Sequence, residues 1–354
     1  MASLRIAKSS NAELTTAMPK EMVAVFVGAT SGIGEFALKA FAEYAKIPRI
    51  YFVGRSQEDA TRIISECQKL NANGQYTFIQ ADVSLLNKVD EVCQEILSKE
   101  TYINLLFQTQ GSIRTDTPAL STQANMTTET SEGLPISYVL PVTSRILFAL
   151  NLLPAIQRAT SLKRVVSVFA AGFEGPFSES EWTEYASTHS LMKARGHVSS
   201  MITMAHNVMA RQAPDVAFVH NYPGSVKTKF GRDASGVLGG VLKVATVLFH
   251  VVPNRLFFQD PSDCGEHQLY LATSARFPPA QGDAAGVAVS DGVSVARGSD
   301  GLSGSGSYNI NYHGENASAD VDALLAKAKA DGAEDRMWAH ILEEIKQVTG
   351  KARD

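Results

Sequence analysis

Short apolar runs along the chain alternate with longer segments in which apolar residues recur every three or four positions. The runs predict β-strands, and the longer segments predict amphipathic helices. Strands are predicted at residues 22–27, 49–53, 76–80, 104–108, 164–169 and 216–221. Helices are predicted at residues 35–45, 58–70, 86–99, 136–158 and 189–212, with a loop at residues 112–132 and an insertion at residues 172–187.

This alternation is typical of βαβ units, which build a parallel sheet. Strand sequences such as MVAVFV are apolar on both faces, as expected when helices cover both sides of the sheet. The chain is therefore predicted to form one α/β domain of the doubly wound Rossmann type. Its mainly parallel sheet is expected to have about seven strands.

The remaining parts of the chain are expected to belong to the same domain. The predicted boundaries are 1–20 for an N-terminal extension, 21–230 for a cofactor-binding core, 231–262 for a lid or substrate segment and 263–354 for a C-terminal extension. In that extension the pattern predicts a helix at residues 264–274, short strands and turns at residues 286–311, and helical residues at 321–349, broken at Asp331-Gly332. We expect it to pack on the core and to help close a substrate site.

Composition excludes several classes of protein. The net charge is −4 and no long basic run occurs, so no nucleic-acid partner is expected. The first residues lack the apolar region of a secretory signal. The apolar stretch at residues 237–252 contains Lys243 and His250 and is too short for a transmembrane span. It is interpreted as a buried or lid segment, with weak contact to a membrane surface as the alternative.

The cysteines give no sign of a disulfide framework or a metal site. Cys67, Cys93 and Cys264 lie far apart in the chain and are expected to be buried as small apolar residues. This sparse use of cysteine fits a reducing compartment and predicts a cytoplasmic location.

A glycine loop follows the first predicted strand and precedes a helix: Gly28-Ala-Thr-Ser-Gly32-Ile-Gly34. Gly28 permits a tight turn, Gly32 lets the backbone approach a diphosphate, and Gly34 lets the helix pack closely on the strand. The N-terminus of that helix would present free N–H groups to phosphate oxygens. At the start of a βαβ series, such a loop predicts a dinucleotide site.

The loop GATSGIG is close to the TGxxxGIG motif of the short-chain dehydrogenase/reductase family, with Val27 where a threonine usually stands. The chain resembles this family over residues 23–228. Its tail, with GEHQLYLATSARFP and GSGSYNI, is more loosely similar to extended members that are common in fungal secondary metabolism. The resemblance implies an oxidoreductase that acts on a small, hydrophobic metabolite, and family analogy suggests a homodimer or tetramer.

The resemblance also implies cofactor contacts beyond the glycine loop. Asp82-Val83 matches an adenine-contacting pair, the segment 108–111 (QTQG) stands where the family has NNAG, and the segment 222–228 matches the PGxVxT turn at the nicotinamide end. The cofactor residues implied in this way are Gly28, Thr30, Ser31, Gly32, Ile33, Gly34, Asp82, Val83, Gln110, Gly111, Lys193, Pro223, Gly224, Val226 and Thr228.

The end of the second predicted strand bears on the choice of cofactor. NAD sites usually carry an acidic residue there, which accepts hydrogen bonds from the ribose and would repel a 2′-phosphate. Here the sequence is Val53-Gly54-Arg55-Ser56, with no acid and with a guanidinium that can bind phosphate through two hydrogen bonds. We therefore expect NADP(H), with Arg55 and Ser56 near the 2′-phosphate.

The residues that move protons in the family are mostly replaced. The YxxxK motif falls on His189 and Lys193, the serine position falls on Ala170, and the asparagine position falls on Pro141. Ser167 is kept as a candidate hydroxyl donor. A rival alignment uses Tyr185, which supplies a tyrosine but no lysine four residues later.

These replacements leave three hypotheses. First, the chain is a redox enzyme in which His189 gives the proton, or in which the substrate is an activated enone or an iminium, of which the iminium needs hydride alone. Second, it is a non-redox cyclase, isomerase or dehydratase on the same fold, with His189 as a neutral base. Third, it binds NADP(H) without turnover. Hydride transfer to or from NADP(H) would favour the first, and product formed without the cofactor would favour the second.

Overall fold

The computed structural model describes residues 3–111, 129–226, 259–311 and 314–353. It contains one seven-stranded sheet in which all strand pairs are parallel, with the order β3-β2-β1-β4-β5-β6-β7. The strands are β1 Glu21–Val27, β2 Ile47–Gly54, β3 Gln75–Gln80, β4 Leu105–Gln108, β5 Arg164–Val168, β6 Ala217–Asn221 and β7 Ser307–Ile310. The predicted doubly wound α/β fold is confirmed.

Helices cover both faces of the sheet. In the described residues they are α1 Leu4–Ala12, α2 Leu14–Ala17, α3 Gly32–Tyr44, α4 Gln57–Leu70, α5 Leu86–Leu97, α6 Ile136–Val139, α7 Thr143–Gln157, α8 Tyr185–Thr188, α9 Leu191–Gln212, α10 Pro261–Thr273, α11 Ala319–Ala330 and α12 Ala333–Thr349. One apolar cluster joins a sheet face to α5, α7, α9, α11 and α12. A second cluster joins the opposite face to α1, α3, α4 and α10.

Two predicted helices differ from the structure. The helix predicted at residues 136–158 is divided into α6 and α7 around Pro141, because proline has no N–H to donate and its ring clashes with the preceding turn. The helix predicted from residue 189 begins at Leu191 instead. His189 and Ser190 have extended backbone angles, so His189 ends α8 and Ser190 caps α9. His189 and Lys193 therefore do not share one continuous helix.

The C-terminal extension packs on both faces of the sheet. Its strand β7 pairs with β6, its helices α11 and α12 join one apolar cluster, and α10 joins the cluster on the opposite face. The fully buried side chain of Arg164 in β5 donates hydrogen bonds to the carbonyl oxygens of Leu271, Ser274 and Ala285, at 2.9, 3.3 and 3.0 Å. This guanidinium fixes the segment after α10 to the centre of the sheet.

Other predictions can be compared with the structure only in part. Cys67, Cys93 and Cys264 are buried and unbridged, as expected. No helix in the described ranges combines the length and the apolar character that crossing a bilayer requires. The apolar stretch at residues 237–252 and most of the predicted lid lie outside the described residues.

Candidate active site

The glycine loop lies where the strand order changes direction, between β1 and β4. Gly28 has a φ of +82°, and a Cβ atom there would lie 2.7 Å from the backbone nitrogen of Gln110. A Cβ atom on Gly34 would lie 2.6 Å from Oγ1 of Thr109. The loop is thus pressed against the end of β4, and only glycine fits at both positions. This is the crevice in which open α/β sheets bind their ligands.

Helix α3 presents its first turn to this crevice. Its N-cap residue, Ser31, makes no side-chain capping hydrogen bond with any described N–H group. Ser31, Gly32 and Ile33 are partly exposed, whereas Thr30 is buried against Gly54 at the end of β2. The backbone N–H groups of the first turn are therefore suited to bind a diphosphate, assisted by the helix dipole.

The predicted adenosine end of the site lies across β2 and β3. Arg55 is exposed directly after β2, and the Oγ atom of Ser56 accepts a hydrogen bond of 3.2 Å from the N–H of Asp59, which caps α4. Asp82 accepts hydrogen bonds from the N–H and the hydroxyl of Ser84, while Val83 is buried. An open groove of about 420 Å³ runs between β3 and α5, with Arg55, Asp82 and Lys88 among its lining residues.

The predicted nicotinamide end lies over β4, β5 and β6. Gln110 is buried and donates a hydrogen bond of 3.2 Å to the side chain of Gln108, whereas Gly111 is exposed. After β6, Pro223 is buried, and Gly224 turns the chain with a φ of +77°. Val226 forms an isolated bridge with Gln259. The predicted contact Thr228 lies outside the described residues.

The two rival proton donors lie in one stack of rings. The Tyr185 ring is stacked between His189, 3.8 Å away, and His197, 4.3 Å away, measured between ring centroids. His189 is partly exposed, and its Nδ1 atom lies 2.9 Å from the Thr188 hydroxyl. Lys193 is exposed in the first turn of α9. The structure thus brings Tyr185 and His189 together.

His197 forms the inner side of this stack. Its Nε2 atom lies 3.1 Å from the carbonyl oxygen of Trp182. Burial, opposed by the hydrogen bond to Trp182 and assisted by the neighbouring His189, lowers the pKa of His197 to about 4. His197 is therefore neutral at physiological pH and serves as a wall of the site.

Ser167 belongs to a buried polar row that crosses half of the sheet. The strand register aligns Gln108 on β4 with Ser167 on β5, His220 on β6 and Asn309 on β7. On the other half of the sheet the same row is apolar, continuing through Val27, Val53 and Ile79. Ser167 is 1% exposed, and its hydroxyl has no hydrogen-bond partner among the described residues. A substrate oxygen could bind the Ser167 hydroxyl only by reaching between the buried polar side chains of this row.

A hydrogen-bonded chain crosses this row behind Ala170. The N–H of Ala170 donates to Nε2 of His220 at 3.2 Å, and Nδ1 of His220 lies 2.8 Å from the Thr203 hydroxyl. Thr203 donates to Oε1 of Glu174 at 2.8 Å. Since Nε2 of His220 accepts, the ring carries its proton on Nδ1. Burial lowers the pKa of His220 and raises the pKa of Glu174.

Arg145 fastens the ends of β4 and β5 together. Its buried guanidinium donates to the carbonyl oxygens of Val168 at 3.0 Å, Gln110 at 2.7 Å and Gln108 at 3.4 Å. Burial lowers the pKa of Arg145 to about 9. Neither this role of Arg145 nor the chain behind Ala170 was predicted from the sequence. The signal that could have revealed the chain is a polar residue at or next to the end of each of four consecutive, mainly apolar strands.

Known proteins resemble this chain in sequence and in fold. The Oxidoreductase andH of Emericella variicolor is 33% identical, and the alignment covers 99% of each chain. The Oxidoreductase AN1596 of Emericella nidulans is 34% identical, with 96% of this chain and 97% of the relative covered. The Short-chain dehydrogenase/reductase SAT2 of Stachybotrys chartarum is 28% identical, with 99% of both chains covered.

The fold is shared with solved structures at low sequence identity. YwfH, an NADPH dependent reductase involved in bacilysin biosynthesis, superposes with a TM-score of 0.52 at 12% identity, covering 72% of this chain and 91% of the other. A Pseudomonas syringae protein assigned to the short chain dehydrogenases has a TM-score of 0.53 at 15% identity, covering 78% and 96%. The model of the short chain dehydrogenase family matches residues 22–234. The chain therefore belongs to the short-chain dehydrogenase family of oxidoreductases.

Proposed function

We propose that the chain is an NADP(H)-dependent oxidoreductase that acts on a small, hydrophobic metabolite. One observation carries the choice of cofactor: Arg55 is exposed at the end of β2, one strand away from the open N-terminus of α3, and the sequence at that strand end, Val53-Gly54-Arg55-Ser56, contains no acid. A guanidinium there can bind a 2′-phosphate through charge-assisted hydrogen bonds. The family relatives named oxidoreductases, and the NADPH dependence of YwfH, support the proposal.

In this proposal the chain holds the dinucleotide along the carboxyl edge of the sheet. The first turn of α3 binds the diphosphate, Asp82 and Val83 contact the adenine, and Lys193 binds the nicotinamide ribose. Gln110, Gly111, Pro223 and Gly224 border the nicotinamide. When bound, the cofactor supplies or accepts a hydride.

His189 is the proposed proton donor or acceptor at the substrate oxygen. It is partly exposed beside Tyr185, and an imidazole can both give and accept a proton near neutral pH. Ala170, at the family's serine position, has no hydroxyl with which to bind that oxygen. This favours a second candidate, hydride transfer to an iminium, which needs no proton donor, or to an activated enone, whose enolate product takes its proton from water. Product formed without the cofactor would instead indicate a non-redox reaction, and NADP(H) binding with no turnover would indicate a cofactor-binding protein.

Isothermal titration calorimetry tests the cofactor assignment. The wild-type chain and the variants Arg55→Glu and Arg5→Glu are each titrated with NADP⁺ and NAD⁺. Arg5 is an exposed arginine of α1 and serves as the matched control. We expect Arg55→Glu to weaken NADP⁺ binding by on the order of 30-fold, the equivalent of about 2 kcal/mol from charged hydrogen bonds. Tighter binding of NAD⁺ than of NADP⁺ by the wild-type chain would contradict the proposal.

A further inference from the structure

The guanidinium of Arg195 lies at the end of the crevice where the reaction is proposed to occur, and the proposed function gives it no role. The central carbon of Arg195 lies 3.9 Å from the ring centroid of Phe173 and 5.0 Å from that of Tyr222. The two rings meet edge to face, with their centroids 5.0 Å apart. Arg195 therefore rests on an aromatic support formed by residues that follow β5 and β6.

Three elements place Arg195 near the reacting end of the site. Tyr222 directly precedes Pro223-Gly224, the turn proposed to border the nicotinamide. The N–H of Phe173 donates to the carbonyl oxygen of Ala170 at 3.1 Å, so Phe173 closes the turn that starts at the vacant serine position. Arg195 itself lies two residues after Lys193 in α9.

The charge of Arg195 is not balanced by a neighbouring acid. Its guanidinium lies over these two rings, and no ion pair between it and a carboxylate is found among the described residues. The first turn of α9 has no acidic residue, and Lys193 adds a second cation there. The dipole of a helix disfavours cations near its N-terminus. An anionic group bound by Arg195 would therefore offset the repulsion between Arg195, Lys193 and the positive end of the helix dipole.

The aromatic support is fixed from the interior of the protein. On one side of Phe173, the N–H of Gly172 donates to Oε2 of Glu174 at 2.7 Å. On the other side, the N–H of Gly175 donates to the carbonyl oxygen of Gly196 in α9 at 3.1 Å. The Phe173 ring is nevertheless 42% exposed. Such a ring, exposed but held by its backbone, is suited to contact a ligand.

We propose that Arg195 binds the substrate through two coplanar oxygen atoms, as in a carboxylate or an enolised 1,3-dicarbonyl group. Guanidinium groups pair with two such oxygens through parallel hydrogen bonds. The remainder of the ligand is apolar, since the Phe173 ring under the guanidinium is exposed, and Leu191 and Met192, one turn before Arg195 in α9, are also large exposed apolar side chains. The inference rests on the proposed function, which makes this crevice the substrate site. Arg195 would supply the hydrogen-bond donors that Ala170 lacks.

Calorimetry with two probes of one shape tests this site. The chain, saturated with NADP⁺, is titrated with 2-naphthoate and with the neutral 2-naphthylmethanol. We expect 2-naphthoate to bind about tenfold more tightly or better, a preference that Arg195→Met abolishes and the surface variant Arg5→Met retains. Arg195→Lys keeps the charge without the planar fork and should retain part of the preference. Phe173→Ala, which removes the support alone, should weaken 2-naphthoate binding severalfold.

The outcomes separate this inference from the proposed function. If Arg195→Met binds NADP⁺ normally and binds 2-naphthoate as tightly as the wild-type chain does, the anion site is refuted while the cofactor assignment stands. If the wild-type chain fails to bind NADP⁺, the proposed function fails. The same 2-naphthoate titrations on the protein alone then decide the role of Arg195. Urea unfolding of each variant identifies any that lose affinity through loss of folding.

Discussion

The ring of Tyr185 lies almost parallel to the ring of His189, at an interplanar angle of 3°. One stack thus contains both the histidine that replaces the family tyrosine in one alignment and the tyrosine that the rival alignment selects. Ring-preserving substitutions can separate their roles, since each removes a proton-carrying group and keeps the stacking.

His189→Phe is expected to reduce turnover of a carbonyl substrate by about 10²- to 10⁴-fold, the usual contribution of a general acid or base. Tyr185→Phe should leave the turnover number within a few-fold of wild type. Loss of the absorbance of NADPH, measured at saturating substrate, gives both values. The opposite pattern, with the larger loss in Tyr185→Phe, would show that the rival alignment is correct.

Gly34→Ala should weaken dinucleotide binding and destabilise the fold by about 1–3 kcal/mol, the range for overpacked sites. The added Cβ would lie 2.6 Å from Oγ1 of Thr109 and would push α3 away from β4. Gly111→Ala is the stability control, because a Cβ there meets no described atom within 4 Å. Equal urea midpoints for the two variants would contradict the close packing described here.

Thr203→Val should destabilise the protein by about 2–3 kcal/mol, because it leaves buried groups of His220 and Glu174 without their hydrogen-bond partner. Thr203→Ser retains the hydroxyl and should recover most of that loss. Urea unfolding at neutral pH measures both variants. If the valine variant is as stable as the serine variant, the chain of hydrogen bonds contributes no stability.

The pH dependence of stability should report on His206. Burial lowers the pKa of His206 to about 3, with a contribution from the charge of Arg145. Below its ordinary value of about 6.5 the unfolded chain takes up a proton that the folded chain does not. His206 therefore lowers the free energy of unfolding by about 1.4 kcal/mol for each pH unit from 6.5 down towards 3.

His206→Phe removes that contribution, and the neighbouring rings of Phe218 and His220 remain. Urea unfolding between pH 4.5 and pH 6.5, chosen as about the window in which the two states differ in protonation, should show a shallower slope for the variant. Above pH 7 the slopes of variant and wild type should agree. An unchanged slope in the acid range would mean that His206 is protonated in the folded protein.

The sequence predicted the sheet more completely than the site. Short runs rich in valine that end at a glycine, such as MVAVFV before Gly28, favour buried strands. The spacing of Gly28, Gly32 and Gly34 reflects a backbone constraint that is local in the chain. The contact between Arg195 and Phe173, by contrast, joins residues whose proximity depends on how the insertion packs on α9. Pattern alone also placed the start of α9 at His189 and not at Leu191, since polar residues such as His189 and Ser190 occur both in the first turn of a helix and just before it.

The row of aligned residues from Ile79 on β3 to Asn309 on β7 changes from apolar to polar between β1 and β4. The two halves of the sheet should therefore respond differently to acid. The row is valine and isoleucine on the side proposed to bind adenosine, and glutamine, serine, histidine and asparagine on the side proposed to hold the reacting groups. Backbone amides of β2 and β3 should keep their protection from deuterium exchange as the pH falls. Amides of β5 and β6 should lose their protection at a higher pH. The half of the sheet that contains β5 and β6 would then unfold while the half that contains β2 and β3 is still folded.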